Sequence, residues 1–362
     1  MIENGIISRY QLWFLVTNFI LGGSILILPS SIVTVARQDA WISFILATMI
    51  GILFSYILIR LSKRFPNMTI IDISEHLLGK KIGKVIGILY AWFFLHLSVL
   101  LISDAANYIG ITALRNTPKI VIVILSTLLI YMVIHYGLEV LARSNSFFSY
   151  IAAFGFWFSI IFSIPYMDPK KLTPILSEGF MPSIRGAYPV TGFPFAELVV
   201  FMMILPFVNK KKHITKVFIS GVLVGSFTLI VSIIATILVL NVRPVEMSLF
   251  APFNMVRIIN IGEFLTRLEA IISISYMLTV LTKMLVSFYG SIMAIGQVFE
   301  LTDVRPLIIP LIIITASLHF ILNRGIVELI EVAATTWTPY SLFMGVVIPI
   351  LFLILSYFRK NK

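Results

Sequence analysis

Leu21-Gly22-Gly23-Ser24-Ile25-Leu26-Ile27-Leu28-Pro29 interrupts an apolar run over residues 10–36. Tyr188-Pro189-Val190-Thr191-Gly192-Phe193-Pro194-Phe195-Ala196-Glu197 interrupts a second, over 188–208. In hydrocarbon every backbone polar group needs a partner, so a helix breaks at mid-depth only where protein or a cavity receives the freed groups. Glycine and proline breaks at matching positions of two halves mark a transporter-type ligand site. The chain is expected to bind a small polar solute inside a membrane.

Composition sets the class. Of 362 residues, 59% are hydrophobic and 12% charged, and the mean hydropathy is +1.03. A soluble domain carries about twice that charge. The expected fold is an all-α polytopic membrane protein of about ten transmembrane helices, near 10–36, 40–62, 85–109, 119–137, 145–166, 188–208, 217–241, 263–296, 306–322 and 338–358. Each reaches across roughly 30 Å of hydrocarbon. Residues 1–362 form a single transmembrane domain: a first five-helix repeat over 1–166, an external loop over 167–187, and a second repeat over 188–362. Five is odd, so the second repeat enters from the opposite side, giving a 5+5 inverted repeat whose first and sixth helices are broken. No cleavable signal is expected, because Met1–Ser8 is short and the first apolar run continues into the body. With no cysteine, disulfides and thiolate metal sites are excluded.

The net charge of +11 is explained by topology rather than by nucleic acid. With the amino terminus inside, sixteen Lys and Arg fall at cytoplasmic ends and nine in external loops, which follows the positive-inside rule. Lys210–Lys212 serves as an anchor, and both termini are expected in the cytoplasm. Residues 66–81 carry an amphipathic pattern with Thr69 and Asp72 spaced as a capping box, which predicts an interfacial helix. The stretch from Asn241 to Gly262 has room for a short external helix.

Ser8-Arg9-Tyr10-Gln11-Leu12, Gly22-Gly23-Ser24-Ile25-Leu26 with Pro29, and Gly192-Phe193-Pro194-Phe195-Ala196-Glu197 with Pro206 resemble the spore-germination permease family. Its members are the integral-membrane B subunits of germinant receptors, within the amino acid–polyamine–organocation superfamily. The resemblance covers essentially the whole chain, and the Phe-Pro-Phe-x-Glu element is its most specific part. It implies a ligand site between the first and sixth spans, formed by Gly22, Gly23, Ser24, Ile25 and Leu26 with Gly192, Phe193, Phe195, Ala196 and Glu197. The physics agrees, because a half-helix amino terminus offers free N–H donors and positive partial charge. The resemblance further implies a small nutrient ligand, an amino acid first among them. It also implies an A-type membrane subunit and a C-type lipoprotein as partners, and the inner membrane of a bacterial spore. Two positions depart from the family pattern, Ser24 and Ala196, where glycine is common; each adds volume near the crossing.

Ionisable residues within a span cost at least about 2.5–3.5 kcal/mol on insertion scales, so each requires a reason. Glu197 either stabilises its break or contacts ligand. Lys283, mid-way along the eighth span, either replaces a coupling cation or snorkels to the interface. Thr279 and Thr282 read as helix-packing hydroxyls or ion ligands. On the third span His96, Leu100, Asp104 and Asn107 share a helical face. Asp104 reads as a pathway residue or a carboxylate near enough to the surface to be solvated. His96 is read as a buried hydrogen-bonded group or a proton relay. Arg267 and Glu269 are expected at an external vestibule. The five tryptophans are assigned to interface belts or packing. No phosphate loop, metal-binding histidine pair or nucleophile elbow is present, and the carboxylates show no partner at acid–base spacing. Enzyme activity, metals and cofactors are therefore not expected. The leading expectation is a nutrient-sensing receptor subunit; the alternative is a stand-alone proton-coupled amino acid transporter using Lys283 or Glu197.

Overall fold

The computed structural model describes residues 5–209, 212–259, 268–322 and 325–358. Lys210 and Lys211 of the basic anchor, Arg267, Arg324, the start of the eighth span and the basic carboxyl terminus lie outside these residues.

The first span is two half-helices, α1 (Arg9–Leu21) and α2 (Ser24–Ala36). A turn at Arg37–Asp39 leads into α3 (Ala40–Arg64). The short α4 (Ile70–Leu78) precedes α5 (Lys80–Thr112), α6 (Lys119–His135) and α7 (Leu138–Ser163). The sixth span starts with α8 (Met181–Val190) and continues through a π-helical turn, Thr191–Phe195, into a tightly wound segment, Ala196–Met203. It therefore begins inside the stretch expected as an external loop, of which a 3₁₀ turn at Pro169–Leu172 remains. Next come α9 (Ile214–Leu240) and two short helices, α10 (Val242–Glu246) and α11 (Ala251–Arg257), where one had been expected. Then follow α12 (Glu269–Val298), α13 (Arg305–Leu322), α14 (Ile326–Ala334), α15 (Trp337–Leu342) and α16 (Ile348–Phe358).

Among the described residues, eight helical stretches are long and apolar enough to cross a membrane. One of them, Ser24–Arg64, has 41 residues. A single helix of that length would be ~60 Å, twice the hydrocarbon thickness. It is two crossings joined at the Arg37–Asp39 turn, with α1 completing the first. Adding the shorter apolar helix Lys119–His135 brings the crossings to ten.

The central helix is α12, packed against α5, α7, α1 and the Ala196–Met203 segment. Across the bundle, hydroxyl side chains return hydrogen bonds to carbonyls one turn back, as Ser103 does to Val99 and Ser159 to Gly155. Helices thus pack closely without leaving polar groups in hydrocarbon. One end is tied shut: Ile7 N–H donates to the Phe207 carbonyl (3.0 Å) and Asn209 N–H to the Ile7 carbonyl (2.9 Å). The Arg9 guanidinium reinforces that closure by donating to the Lys212 carbonyl (3.2 Å).

Candidate binding cavity

The first break is built around one residue. Gly22 N–H donates to the Asn18 carbonyl (2.8 Å) and ends α1. Gly23 then takes φ 75°, ψ −27°, a left-handed conformation that costs an L-residue roughly 1–2 kcal/mol. No side chain caps the start of α2, so its first N–H groups have no partner within the helix. Gly22 lets α12 approach: a Cβ there would lie 2.6 Å from the Thr279 carbonyl oxygen and 2.7 Å from Lys283 Cβ. In the second break, Phe193 leaves helical geometry at φ −122°, ψ 109°. That turns its ring toward the first break, where it would sit 3.2 Å from a Cβ on Gly23.

Between the breaks is a fully buried ion pair. Lys283 Nζ lies 2.5 Å from Glu197 Oε2, and both side chains are 0% exposed. The Trp337 indole N–H donates to Glu197 Oε1 at 2.6 Å. The ammonium also lies over two rings, 4.2 Å from the centre of Phe193 and 4.9 Å from that of Phe19. Spans one, six, eight and ten are thereby joined at one point. Of the two readings of Lys283, snorkelling is excluded by this burial, and Glu197 meets a cation.

Beside the pair is a cavity of about 50 Å³, measured as space open to the centre of a water molecule. Gly23 and Ile27 of the first span line it, with Leu97, Leu100, Leu101 and Asp104 of α5, Phe193 and Glu197 of the sixth span, and Leu329, Ile330, Ala333 and Trp337 near the chain's end. Asp104 is 3% exposed, which overturns the solvated reading. Its Oδ2 accepts a hydrogen bond of 2.5 Å from the Tyr276 hydroxyl. Its Oδ1 has no hydrogen-bond partner among the described residues.

Of the expected ligand-site residues, only Gly23, Phe193 and Glu197 line this cavity, joined by Asp104 from the expected pathway set. The others are buried for reasons of packing. Gly192 faces Thr338, whose Cα would lie 2.7 Å from a Cβ, and Gly345 abuts the Ala196 carbonyl. Phe195 fills the space left by Gly51 beside Phe44. Ile25 and Leu26 are buried in the α2 core. Ser24 Oγ is buried without a partner among the described residues, and Ser24 and Ala196 do not narrow the cavity. Thr282 donates to Asn145 (2.7 Å) and Thr279 to the Tyr276 carbonyl (2.8 Å), both as packing hydroxyls. His96 sits away from the cavity against Trp337, ring centres 5.2 Å apart, and its Nδ1 has no partner among the described residues. Asn107 instead accepts from Lys119 (2.8 Å).

Tyr276 and Trp337 escaped the sequence reading. Tyr276 had a usable signal: it lies seven residues before Lys283 and so on the same helical face. Trp337 had a weaker one, since a buried indole N–H nearly always finds an acceptor.

A wider vestibule of about 390 Å³ adjoins the cavity and shares Ile27, Phe193, Ile330 and Ala333 with it. Its rim is formed by Thr34, Val35, Glu246, Met247 and Glu331, at the end of the bundle opposite the Ile7 closure. Glu269 is not part of this lining.

Two broken spans crossing beside a central cavity define a transporter-like fold. Solved structures share this architecture, transporters among them. MhsT in complex with L-phenylalanine aligns with TM-score 0.67 at 14% identity, covering 98% of this chain and 99% of that one. Mhp1, a nucleobase-cation-symport-1 family transporter with bromovinylhydantoin bound, aligns with TM-score 0.67 at 12% identity, over 96% of this chain and 78% of that one. In sequence, the family model described as spore germination protein matches residues 6–326. Spore germination protein KB of Bacillus subtilis is 26% identical over 82% of this chain and 80% of its own. Spore germination protein YndE of the same organism is 23% identical over 98% and 97%. The chain belongs to the spore germination permease family.

Proposed function

We propose that this protein is the membrane B-type subunit of a spore germinant receptor and senses a small nutrient in the cavity between its two breaks. The observation that carries the reading is the cavity itself, set at the uncapped amino terminus of α2 and walled by both broken spans. A signalling subunit needs such a site, because ligand shifts a conformational equilibrium only by binding one state better than the other. An amino acid fits first, since the helix terminus suits a carboxylate. The spore inner membrane is its expected location, with both termini on the core side and an A-type subunit and a C-type lipoprotein as partners. The test is affinity purification from membranes of the native dormant cell, with partners identified by mass spectrometry. Stoichiometric recovery of a second membrane subunit and a lipoprotein supports the receptor; recovery of this chain alone from well-preserved membranes counts against it.

The buried Lys283–Glu197 pair favours a second reading, a proton-coupled amino acid transporter. It predicts substrate counterflow in proteoliposomes with a pH-dependent rate lost in Lys283→Met. Saturable binding without counterflow would sink it.

A further inference from the structure

The connection between spans nine and ten contains a helix that neither span needs. Ile326, Leu329, Ile330 and Ala333 of α14 recur at helical spacing, which gives the helix one apolar face. Leu329, Ile330 and Ala333 form part of the cavity wall. Ile330 and Ala333 also line the vestibule, together with Val327 and Glu331. The two other residues that cavity and vestibule share, Ile27 and Phe193, belong to the broken spans. At nine residues, α14 is ~13 Å long, so it lies between cavity and vestibule without crossing the membrane.

This helix is held lightly. Of its described side chains only Ile326 is buried, and Val327 is 69% exposed. No side chain caps its start. Glu328 Oε2 is buried without a hydrogen-bond partner among the described residues, which makes the observed position costly. Elements with few buried apolar contacts open at low free energy.

Its two ends differ. Gly325 has φ 138°, ψ 178°, a region populated essentially by glycine alone, so the chain enters α14 through a joint with no side chain to stiffen it. At the other end the turn at Thr335–Thr336 separates α14 from α15. The next residue, Trp337, is fixed. It is 2% exposed, and its indole N–H donates to Glu197 (2.6 Å). Its ring stacks on Phe93 of α5, with centres 5.4 Å apart and planes 14° apart. The Thr338 hydroxyl reaches back to the Ala333 carbonyl (3.2 Å). The last turn of α14 is thus joined to the buried Lys283–Glu197 pair through Trp337.

We infer that α14 is a lid on the cavity, swinging between Gly325 and the Thr335–Thr336 turn. The Trp337–Glu197 hydrogen bond is its latch, so the position of the lid and the integrity of the ion pair depend on each other. This deepens the proposed function and rests on the cavity being the sensing site. Its test needs neither nutrient nor partner, so a failure concerns α14 alone and leaves the receptor reading to the purification.

Nitroxides would be attached to the purified full chain, or to its receptor complex, at Val327→Cys of α14 and Ile111→Cys near the end of α5, both exposed. A second pair, Met247→Cys with Ile111→Cys, reports on the other connection that lines the vestibule, at the end of α10. Distances would be measured by double electron–electron resonance in the native background and in Trp337→Phe, which keeps a ring against Phe93 and removes the indole donor. The expected result is two Val327–Ile111 distances. Their ratio should shift toward the longer one by roughly ten- to hundredfold in Trp337→Phe, the range of one hydrogen bond to a charged group. Met247–Ile111 should keep a single distance in both backgrounds. In parallel, a thiol on the cavity wall, Leu101→Cys, should react faster with trimethylammonioethyl methanethiosulfonate by the same factor. One unchanging Val327–Ile111 distance in both backgrounds would overturn the lid. Faster modification of Leu101→Cys with that distance unmoved would overturn it too, since entry would then follow another route. Movement of Met247 in place of Val327 would assign the lid to the α10 connection and overturn α14. Two distances whose ratio ignores Trp337→Phe would overturn the latch and leave the lid.

Discussion

At the scale of single residues, the Lys283–Glu197 pair is the largest energetic commitment in the site. Removing one member of a buried pair leaves an uncompensated charge and typically costs about 3–5 kcal/mol, whereas replacing both by apolar groups is often neutral or better. Lys283→Met and Glu197→Gln should each destabilise the protein by about that amount, and Lys283→Met with Glu197→Leu should recover most of the loss. Reversible unfolding in mixed micelles measures this; a double variant as weak as the two singles summed would show that the pair is not the source. Gly23 makes a different demand. Gly23→Leu forces a branched side chain into a left-handed backbone, with Phe193 3.2 Å and Asp104 3.4 Å from its Cβ. It should abolish ligand response while inserting normally, and full response in a well-inserted variant would remove the first break from the binding site. Glu197, Lys283, Asp104 and Gly23 were each legible in the sequence as residues out of place in hydrocarbon or in a helix. Their pairings were not, because Glu197 meets Lys283, and Asp104 meets Tyr276, only after three spans have packed. The resemblance to a family of known architecture supplied a list of backbone positions, and packing then removed Gly22, Ser24, Ile25, Leu26, Gly192, Phe195 and Ala196 from the wall.

At the scale of elements, α4 shows how local chemistry and packing agree. Asp72 N–H donates to Thr69 Oγ1 (3.2 Å) and Thr69 N–H to Asp72 Oδ2 (3.0 Å), the reciprocal box expected from their spacing. Thr69 Oγ1 also donates to Gln297 Oε1 of α12 (2.7 Å), so the cap ties the short helix to the central one. Thr69→Ala should cost about 0.5–2 kcal/mol, seen as faster amide exchange confined to 70–78; unchanged exchange there would make the box dispensable. Nearby, Lys80 and Lys84 contact Glu300 at 2.6 and 2.7 Å. Their hydrogen bonds hold the Glu300 carboxyl at about 2, below the usual carboxylate range. A depressed carboxylate contributes stability fully present above its unfolded value, about 4.3, and loses it as pH falls toward 2. Protection of the first turn of α5 should weaken across that window and with salt, since all three groups are solvent-exposed or nearly so. Glu300→Gln should remove the pH dependence, and a dependence that persists would assign it elsewhere. The existence of the spans was readable, because each must be about twenty apolar residues long; α14 and the division of the external stretch into α10 and α11 were not. Element ends were not: α7 starts at Leu138 and α8 at Met181, since polar and proline-containing turns continue a helix when neighbouring spans cover them.

At the scale of the whole molecule, the two ends of the bundle differ. The Ile7–Val208 bridge closes one end, while the vestibule bounded by Thr34, Glu246 and Glu331 leads from the other toward the cavity. Phe193, Ile27, Ile330 and Ala333 line both vestibule and cavity, so a solute entering from the vestibule passes these four side chains before Gly23 and Asp104. The proposed topology, with the Ile7 end in the cytoplasm, would make the vestibule the outward face. That assignment is directly measurable, because the chain has no cysteine and a single introduced thiol gives labelling without background. Thr34, on the exposed rim at the end of α2, and Asn67, exposed beyond α3 at the opposite end, are suitable positions. A membrane-impermeant maleimide added to sealed right-side-out vesicles should modify Thr34→Cys directly and Asn67→Cys only after permeabilisation. The reverse pattern would invert the topology and place the vestibule on the inner side. Ligand adds a second expectation. A solute that binds beside Gly23 and favours a closed arrangement of the broken helices should slow modification of Thr34→Cys, and the same solute should leave that rate unchanged in a Gly23→Leu background. Slowing that survives Gly23→Leu would mean that the solute acts on the vestibule itself, without reaching the break.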